Sequence, residues 1–184
     1  MPPKALIHTS NPGYAALLTS RLEKVGIEVV DKFEHGIARV LLDYPMTYAL
    51  RELYDLSSFE RSHTLVCTQS HSDVYFYCLA SFHIANVSNT FDEFGVVAGM
   101  HSAASAQRHY AYQSGLTYME LRVTRLLLLA VAKAELTRRL NITSKTVNAH
   151  ISNILMKLGH ESRAQYIASL LSCAPENDDA TQAW

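Results

Sequence analysis

Residues 116–165 repeat apolar positions at helical spacing through three consecutive segments joined by short polar turns, and no other pattern constrains the chain as tightly. Leu116-Thr117-Tyr118-Met119-Glu120 opens the first helix and Glu135-Leu136-Thr137-Arg138-Arg139-Leu140 forms the second. Thr143 through Gly159 forms the third. There Val147, Ile151, Ile154/Leu155 and Leu158 recur at i, i+4, i+7 and i+11, the stripe of a helix buried on one side. The opposite face presents Lys145, Asn148, Ala149, Ser152 and Met156. Such a polar third helix, held up by two others, is a helix-turn-helix arrangement and suits a DNA major groove.

Lys145 and Asn148 lie near the helix N-terminus, the end that enters the groove. Asn bonds adenine bidentately and Lys bonds guanine, each worth about 1–3 kcal/mol of discrimination. Thr143, Ser144, Thr146, Asn153 and Lys157 fit phosphate contacts that set the register. Capping by Thr143 or Ser144, with Lys157 solvated, explains the same residues, and both readings stay open. His150 sits between the two faces, where local packing and a phosphate contact are equally open. Of Arg138 and Arg139, one is expected to face phosphate and the other solvent. After Gly159, Ser162-Arg163-Ala164-Gln165 has capping-box spacing, and the helix it starts carries Ala164, Ile167, Ala168 and Leu171 as a stripe.

Charge follows the same division. The chain as a whole is −1, which is unpromising for a DNA binder. Residues 114–172, however, hold eight Lys and Arg against three acidic residues and are +5, while residues 1–113 and 173–184 are −3 each. The positive charge lies where phosphate attraction needs it. With 48% apolar and 18% charged residues in 184, the composition is that of a globular chain with room for one large or two small domains. The longest apolar run, Leu126–Ala132, is far short of the roughly 20 residues that a membrane span needs. The opening Met-Pro-Pro-Lys has no apolar signal core, and Cys67, Cys78 and Cys173 show no paired spacing. A cytoplasmic protein without membrane contact is the expectation.

Residues 1–105 alternate short apolar runs with helix-period segments, the pattern of an α/β sheet. Strands are expected at Ala5–His8, Ile27–Val30, Arg39–Leu42, Thr64–Cys67 and His83–Val87, with Ser72–Leu79 undecided. A helix after Asn11-Pro12 is expected to bury Leu17, Leu18, Leu22 and Val25 before closing at Gly26. One around Tyr48–Leu56 turns Leu50, Leu53 and Tyr54 inward, with Tyr48 a further candidate. Thr90-Phe91-Asp92-Glu93 has capping-box spacing ahead of Phe94, Val97 and Met100. Residues 106–114 read as a linker, and 173–184 as an acidic tail expected to be disordered.

Leu116-Thr117, Glu135-Leu136, Arg139-Leu140, Thr146-Val147, His150, Asn153-Ile154-Leu155, Lys157-Leu158-Gly159 and Ser162-Arg163-Ala164-Gln165 resemble the LuxR/FixJ/NarL family of bacterial transcription regulators. The resemblance implies an all-α tetrahelical helix-turn-helix domain over 115–172. It also implies a two-fold dimer through Ala164, Ile167, Ala168 and Leu171, reading an inverted repeat in promoter DNA. The family has Lys where Asn148 stands, so base preference is expected to differ. Ala130 and Ala132 replace its usual Gly and Ser at the first turn, so either the first helix runs on or the turn is strained. Ala5–Pro12, Val40-Leu41-Leu42-Asp43 and Leu65-Val66-Cys67-Thr68 resemble the strands of response-regulator receiver domains, implying a flavodoxin-like parallel sheet in 1–105.

That resemblance places Asp43 at the phosphoacceptor position and Thr68 at the switch residue. It is incomplete, because the acidic pair that holds Mg²⁺ is replaced by Thr9 and Ser10, and Val87 falls where a Lys is usual. Asp31–Ala38 is also too short for a full second helix. The expectation is an atypical response regulator without aspartyl phosphorylation, catalysis or cofactor, switched by a ligand, a regulatory protein or abundance. RNA polymerase is a further candidate partner. A receiver-like sensor or interaction module with secondary DNA binding is the main rival, and a residual Mg²⁺-dependent phosphoacceptor at Asp43 the lesser one.

His63, Cys67, His71 and Cys78 suggest a metal by letter count. Strand neighbours four apart lie roughly 13 Å from each other, too far to share Zn²⁺ with ligand bonds of about 2.0–2.3 Å, so none is expected. A Cys/His/Asp hydrolase lacks a nucleophile elbow or oxyanion loop. Tyr44, Tyr48, Tyr54, Tyr75 and Tyr77 fit core or interface packing better than a ligand pocket.

Overall fold

A computed structural model describes residues 3–89, 93–104 and 115–172. In chain order the described elements are β1 (Lys4–His8), α1 (Pro12–Lys24), β2 (Glu28–Val29), β3 (Ala38–Leu42), α2 (Tyr48–Asp55), α3 (Ser58–Ser62), β4 (Thr64–Cys67), α4 (Asp73–Ala80) and β5 (Asn86–Ser88). Then come α5 (Glu93–Ala104), α6 (Tyr118–Leu128), α7 (Lys133–Leu140), α8 (Ser144–Leu158) and α9 (Arg163–Leu170). The five strands form a wholly parallel sheet in the order β2-β1-β3-β4-β5, the doubly wound receiver arrangement.

Strand alternation splits the core into two layers. Val40 and Leu42 of β3, with Leu65 and Cys67 of β4, face α1 and α5. Leu41 and Val66, pointing the other way, meet Leu50 and Leu53 of α2 and Tyr75, Cys78 and Leu79 of α4. Gly99 permits the close seating of α5, since a Cβ there would lie 2.7 Å from Leu65 Cδ1. The second layer does not end at the domain boundary. It continues into Val123, Leu126 and Leu127 of α6 and Tyr166 and Leu170 of α9 as one buried cluster. Ser70 Oγ donates to the Leu170 carbonyl at 3.3 Å across the same junction, and the Arg125 guanidinium lies 4.2 Å from the centre of the Phe82 ring. The C-terminal helices are therefore docked on the α4 side of the sheet.

Several sequence expectations need correction. Ser72–Leu79 is helical, because Ser72 caps α4 by accepting from the Tyr75 N–H. The last strand is Asn86–Ser88, since His83 takes φ 63° in the preceding turn. Val87 thus lies inside β5 rather than after it, and Asn89 follows the strand. The capping box of Ser57 and Glu60 nucleates α3, which the apolar periodicity did not signal. Leu17 and Val25 are exposed, leaving Leu18 and Leu22 to anchor α1. Tyr54 is also partly exposed, packing its ring edge-on against Phe82 instead of entering the core. The Thr90–Asp92 part of the proposed cap, the linker at 106–114 and the tail at 173–184 lie outside the described residues.

Candidate nucleic-acid interface and the receiver-like aspartate

Each helix of the C-terminal domain except α7 starts where a side chain satisfies free N–H groups. Thr117 and Glu120 make a reciprocal capping box on α6. Thr143 Oγ1 accepts from the Thr146 N–H at 3.2 Å and also bonds the Thr146 hydroxyl at 2.9 Å, so capping describes this residue. Ser162 accepts from the Gln165 N–H, but Gln165 turns its oxygen to the Glu161 N–H, leaving the second box half made. Gly159 closes α8 in the left-handed region at φ 69°. Ala130 stands in that same region at φ 53°, so α6 stops at Leu128 and the turn is strained where the sequence has Ala.

In α8, Val147 and Ile154 are buried while Ile151, Leu155 and Leu158 are half-buried against the domain core. Lys145, Asn148, Ala149, Ser152, Asn153 and Met156 are exposed, and Met156 reaches 75%. Thr146 and His150 are half-buried at the edge of that face, and Ser144 is exposed at its start. The docked receiver-like domain leaves this surface open.

The cations are less available than their count implies. Lys157 Nζ binds Glu120 Oε2 at 2.7 Å, tying the end of α8 to the start of α6. Burial pushes the Glu120 pKa up, but the bonds from Lys157 and the Thr117 cap outweigh it and hold the carboxyl below its ordinary value. Arg138 and Arg139 both engage Glu135, whose pKa is held at about 2 by those two guanidiniums. Arg125 is buried towards the receiver-like domain and cannot serve DNA. In α9, Ala164 and Ala168 are exposed and Ile167 and Leu171 half-buried, while Tyr166 locks the helix down through its hydroxyl to Thr124 at 2.8 Å.

At the C-terminal end of β3, Asp43 is 1% exposed. Its Oδ1 accepts from the Ala49 N–H at 2.9 Å. Its Oδ2 accepts from Thr68 Oγ1 at 2.9 Å and Tyr75 Oη at 2.6 Å. Tyr75 Oη also accepts from the Thr47 N–H at 2.9 Å, pinning a β-branched residue that sits at φ 76°. Burial raises the Asp43 pKa, opposed by the bonds from Tyr75, Ala49, Thr68 and Thr47. Thr9 and Ser10 are occupied locally: Thr9 Oγ1 accepts from the Asn11 N–H, and Ser10 Oγ donates to the Tyr44 carbonyl. Asp43 and Thr68 meet as the receiver resemblance implies, but sequence reasoning missed Tyr75, which periodicity does not separate from Tyr77. Of the residues weighed as metal ligands, Cys67 and Cys78 lie in opposite core layers, His63 is buried beside Phe59, and His71 is exposed.

The described residues thus combine a receiver-type parallel sheet with a capped helix-turn-helix fold. Residues 114–170 match the model for bacterial regulatory proteins of the luxR family (GerE), and that region is a LuxR-family helix-turn-helix domain. Among solved structures, RcsB from Salmonella enterica serovar Typhimurium bound to promoter rprA with phosphomimetic BeF3⁻ is similar at 15% identity. The match covers 92% of this chain and 98% of that one, with a TM-score of 0.58. Two RcsB dimers bound to two parallel DNAs match at 16% identity over 94% and 100%, with a TM-score of 0.59. A response regulator RcsB–DNA complex matches at 18% over the same shares, with a TM-score of 0.56. Curated proteins give no match. No helix among the described residues is long and apolar enough to cross a membrane.

Proposed function

We propose that this chain is a transcription regulator that binds promoter DNA as a two-fold dimer and works without aspartyl phosphorylation. The exposed polar face of α8 carries the DNA reading, since a helix buried on Val147 and Ile154 directs Lys145 and Asn148 outward together. Lys145 and Asn148 read bases; Ser144, Thr146, His150 and Asn153 meet phosphates or sugars around them. Arg138 and Arg139 exchange Glu135 for phosphate on binding. Exposed Ala164 and Ala168 one turn apart let two α9 helices approach closely, with Ile167 and Leu171 beside them. The likeness to DNA-bound RcsB, including two dimers on DNA, supports this assembly.

The sealed carboxylate supports the second half of the proposal. Phosphoryl transfer needs an open oxygen and a hard cation with carboxylate ligands. Asp43 offers neither, because Tyr75 and Thr68 cover Oδ2 and Thr9 and Ser10 bring no charge. The test is footprinting on a site selected from random duplexes. Lys145→Ala with Asn148→Ala is expected to relax sequence choice while retaining weak salt-sensitive binding, and beryllofluoride is expected to leave affinity unchanged. An unaltered footprint in the double variant refutes the recognition assignment. A Mg²⁺-dependent gain in affinity that vanishes in Asp43→Asn refutes the loss of phosphorylation.

A further inference from the structure

We propose that the cleft between the two domains binds a small oxyanion, a phosphate-bearing molecule held by Arg61, Arg122 and Arg125. The cleft is a shallow, solvent-open depression of about 400 Å³, and its other walls include Tyr54, Phe82 and Tyr118. Arg61 comes from α3 on the receiver-like side, and Arg122 and Arg125 come from α6 on the other. A ligand there touches both domains at once.

Among the described residues, no carboxylate supplies these arginines with an anion. Arg125 is only 5% exposed, and its Nε has no hydrogen-bond partner; the buried Nε of Arg61 also has none. None of the three arginines pairs with a carboxylate among the described residues. Arg39, the other arginine with an unmet Nε, differs because Glu60 neutralises it at 2.8 Å. The Nε atoms of Arg125 and Arg61 are too buried for a ligand to touch, so the donors open to an anion are the outer Nη groups of the three guanidiniums.

Phe82 compensates in part, its ring centre lying 4.2 Å from the Arg125 Cζ and 6.0 Å from that of Arg61. This cation–π contact holds the Arg125 guanidinium against the ring, while Arg61 lies at the outer limit of such a contact. The charged side chains acting on the neighbouring Tyr54 hydroxyl include Arg125, Arg139 and Arg122, all positive. Planar guanidinium forks lining one cleft match the oxygens of phosphate, which each can grip in pairs. The exposed Tyr118 ring at the rim provides a flat surface for the body of the molecule. Duplex DNA is too bulky to reach Arg125, so this site is separate from the α8 surface. Bridging the cleft would tighten the docking of α6 against the sheet, and occupancy would then bias how the helix-turn-helix is held.

The full-length protein is titrated with inorganic phosphate, pyrophosphate, AMP and citrate at low ionic strength, by calorimetry and by thermal midpoint. Pyrophosphate or AMP is expected to bind and raise the midpoint. Arg61→Gln and Arg122→Gln, neither of which is fully buried, are each expected to weaken binding about tenfold or more, the loss of one charge-assisted contact. Arg125→Gln should do the same, and far-UV spectra check that each variant is folded. Lys145→Ala with Asn148→Ala should leave probe affinity unchanged, which separates this cleft from the DNA surface and its own test. Citrate binding through the same arginines supports an oxyanion site but assigns the source to polycarboxylates. No binding by any probe, or equal binding by the arginine variants and the parent, overturns the proposal.

Discussion

Tyr75→Phe is the most revealing change, because one hydroxyl joins three elements. It donates to Asp43 Oδ2 at 2.6 Å from α4, and it accepts from the Thr47 N–H at 2.9 Å just before α2. The substitution keeps the ring, so no cavity larger than an oxygen forms. A hydrogen bond to a charged group contributes about 1.5–3 kcal/mol, and a buried N–H left without a partner costs about 1–3 kcal/mol. The two together predict a loss of about 3–5 kcal/mol, a large share of a typical domain's stability. With a urea dependence of about 2 kcal/mol per molar, the unfolding midpoint followed by far-UV circular dichroism falls by about 2 M. Asp43→Asn should also destabilise, by about 1–3 kcal/mol, since its amide accepts from the Ala49 N–H but turns an NH2 towards two hydroxyls that donate, leaving their buried protons without an acceptor. A Tyr75→Phe midpoint within about 0.5 M of the parent refutes this account. So does an equal cost of Tyr75→Phe in the parent and in the Asp43→Asn variant, which would mean that the carboxylate is not the partner. The pH dependence adds a signature. A carboxyl whose folded pKa is raised stabilises fully below the unfolded value near 4 and loses that contribution as pH rises through the folded pKa. That decline is expected to disappear in Asp43→Asn.

Lys157→Met should destabilise by about 1–2 kcal/mol, less than for a fully buried pair because the lysine is partly exposed. The folded pKa of Glu120 is depressed, so its contribution is present above the unfolded value near 4.3 and lost as pH falls through the folded one. Acid titration of unfolding should lose this step in Lys157→Met, and an unchanged acid limb counts against the pair. Ala130→Gly should stabilise by about 0.5–1 kcal/mol by relieving the left-handed turn, read as a rise in thermal midpoint. A fall in the midpoint would show that Ala130 is not strained.

The elements whose signals are local were the legible ones. Helix α8 was bounded by Thr143 and Gly159 in the sequence, and the same residues cap it in the structure. Strands β1, β3 and β4 were readable as short apolar runs, and Asn11 announced α1 by accepting from the Gly13 and Tyr14 N–H groups. Helix α4 was undecided because it is apolar on most sides, being covered by the sheet on one and by α6 on the other. The side of α1 was misjudged at Leu17 and Val25 for want of knowing how far the sheet reaches. The positive count over 114–172 was right as arithmetic, yet it overstated the DNA-facing field. Arg122 and Arg125 turn to the other domain, and Lys157, Arg138 and Arg139 are held by Glu120 and Glu135.

By itself the chain's order of residues decided the helix-turn-helix, the parallel sheet and the missing acidic pair, because caps, apolar periods and residue identities act within a few positions. Tertiary structure alone decided that Tyr75 seals Asp43, that the two domains share one core, and that three arginines line one cleft without a carboxylate partner among the described residues. Those pairings join residues about 30 to 100 positions apart, and only the packed fold sets which of many equivalent tyrosines and arginines meet.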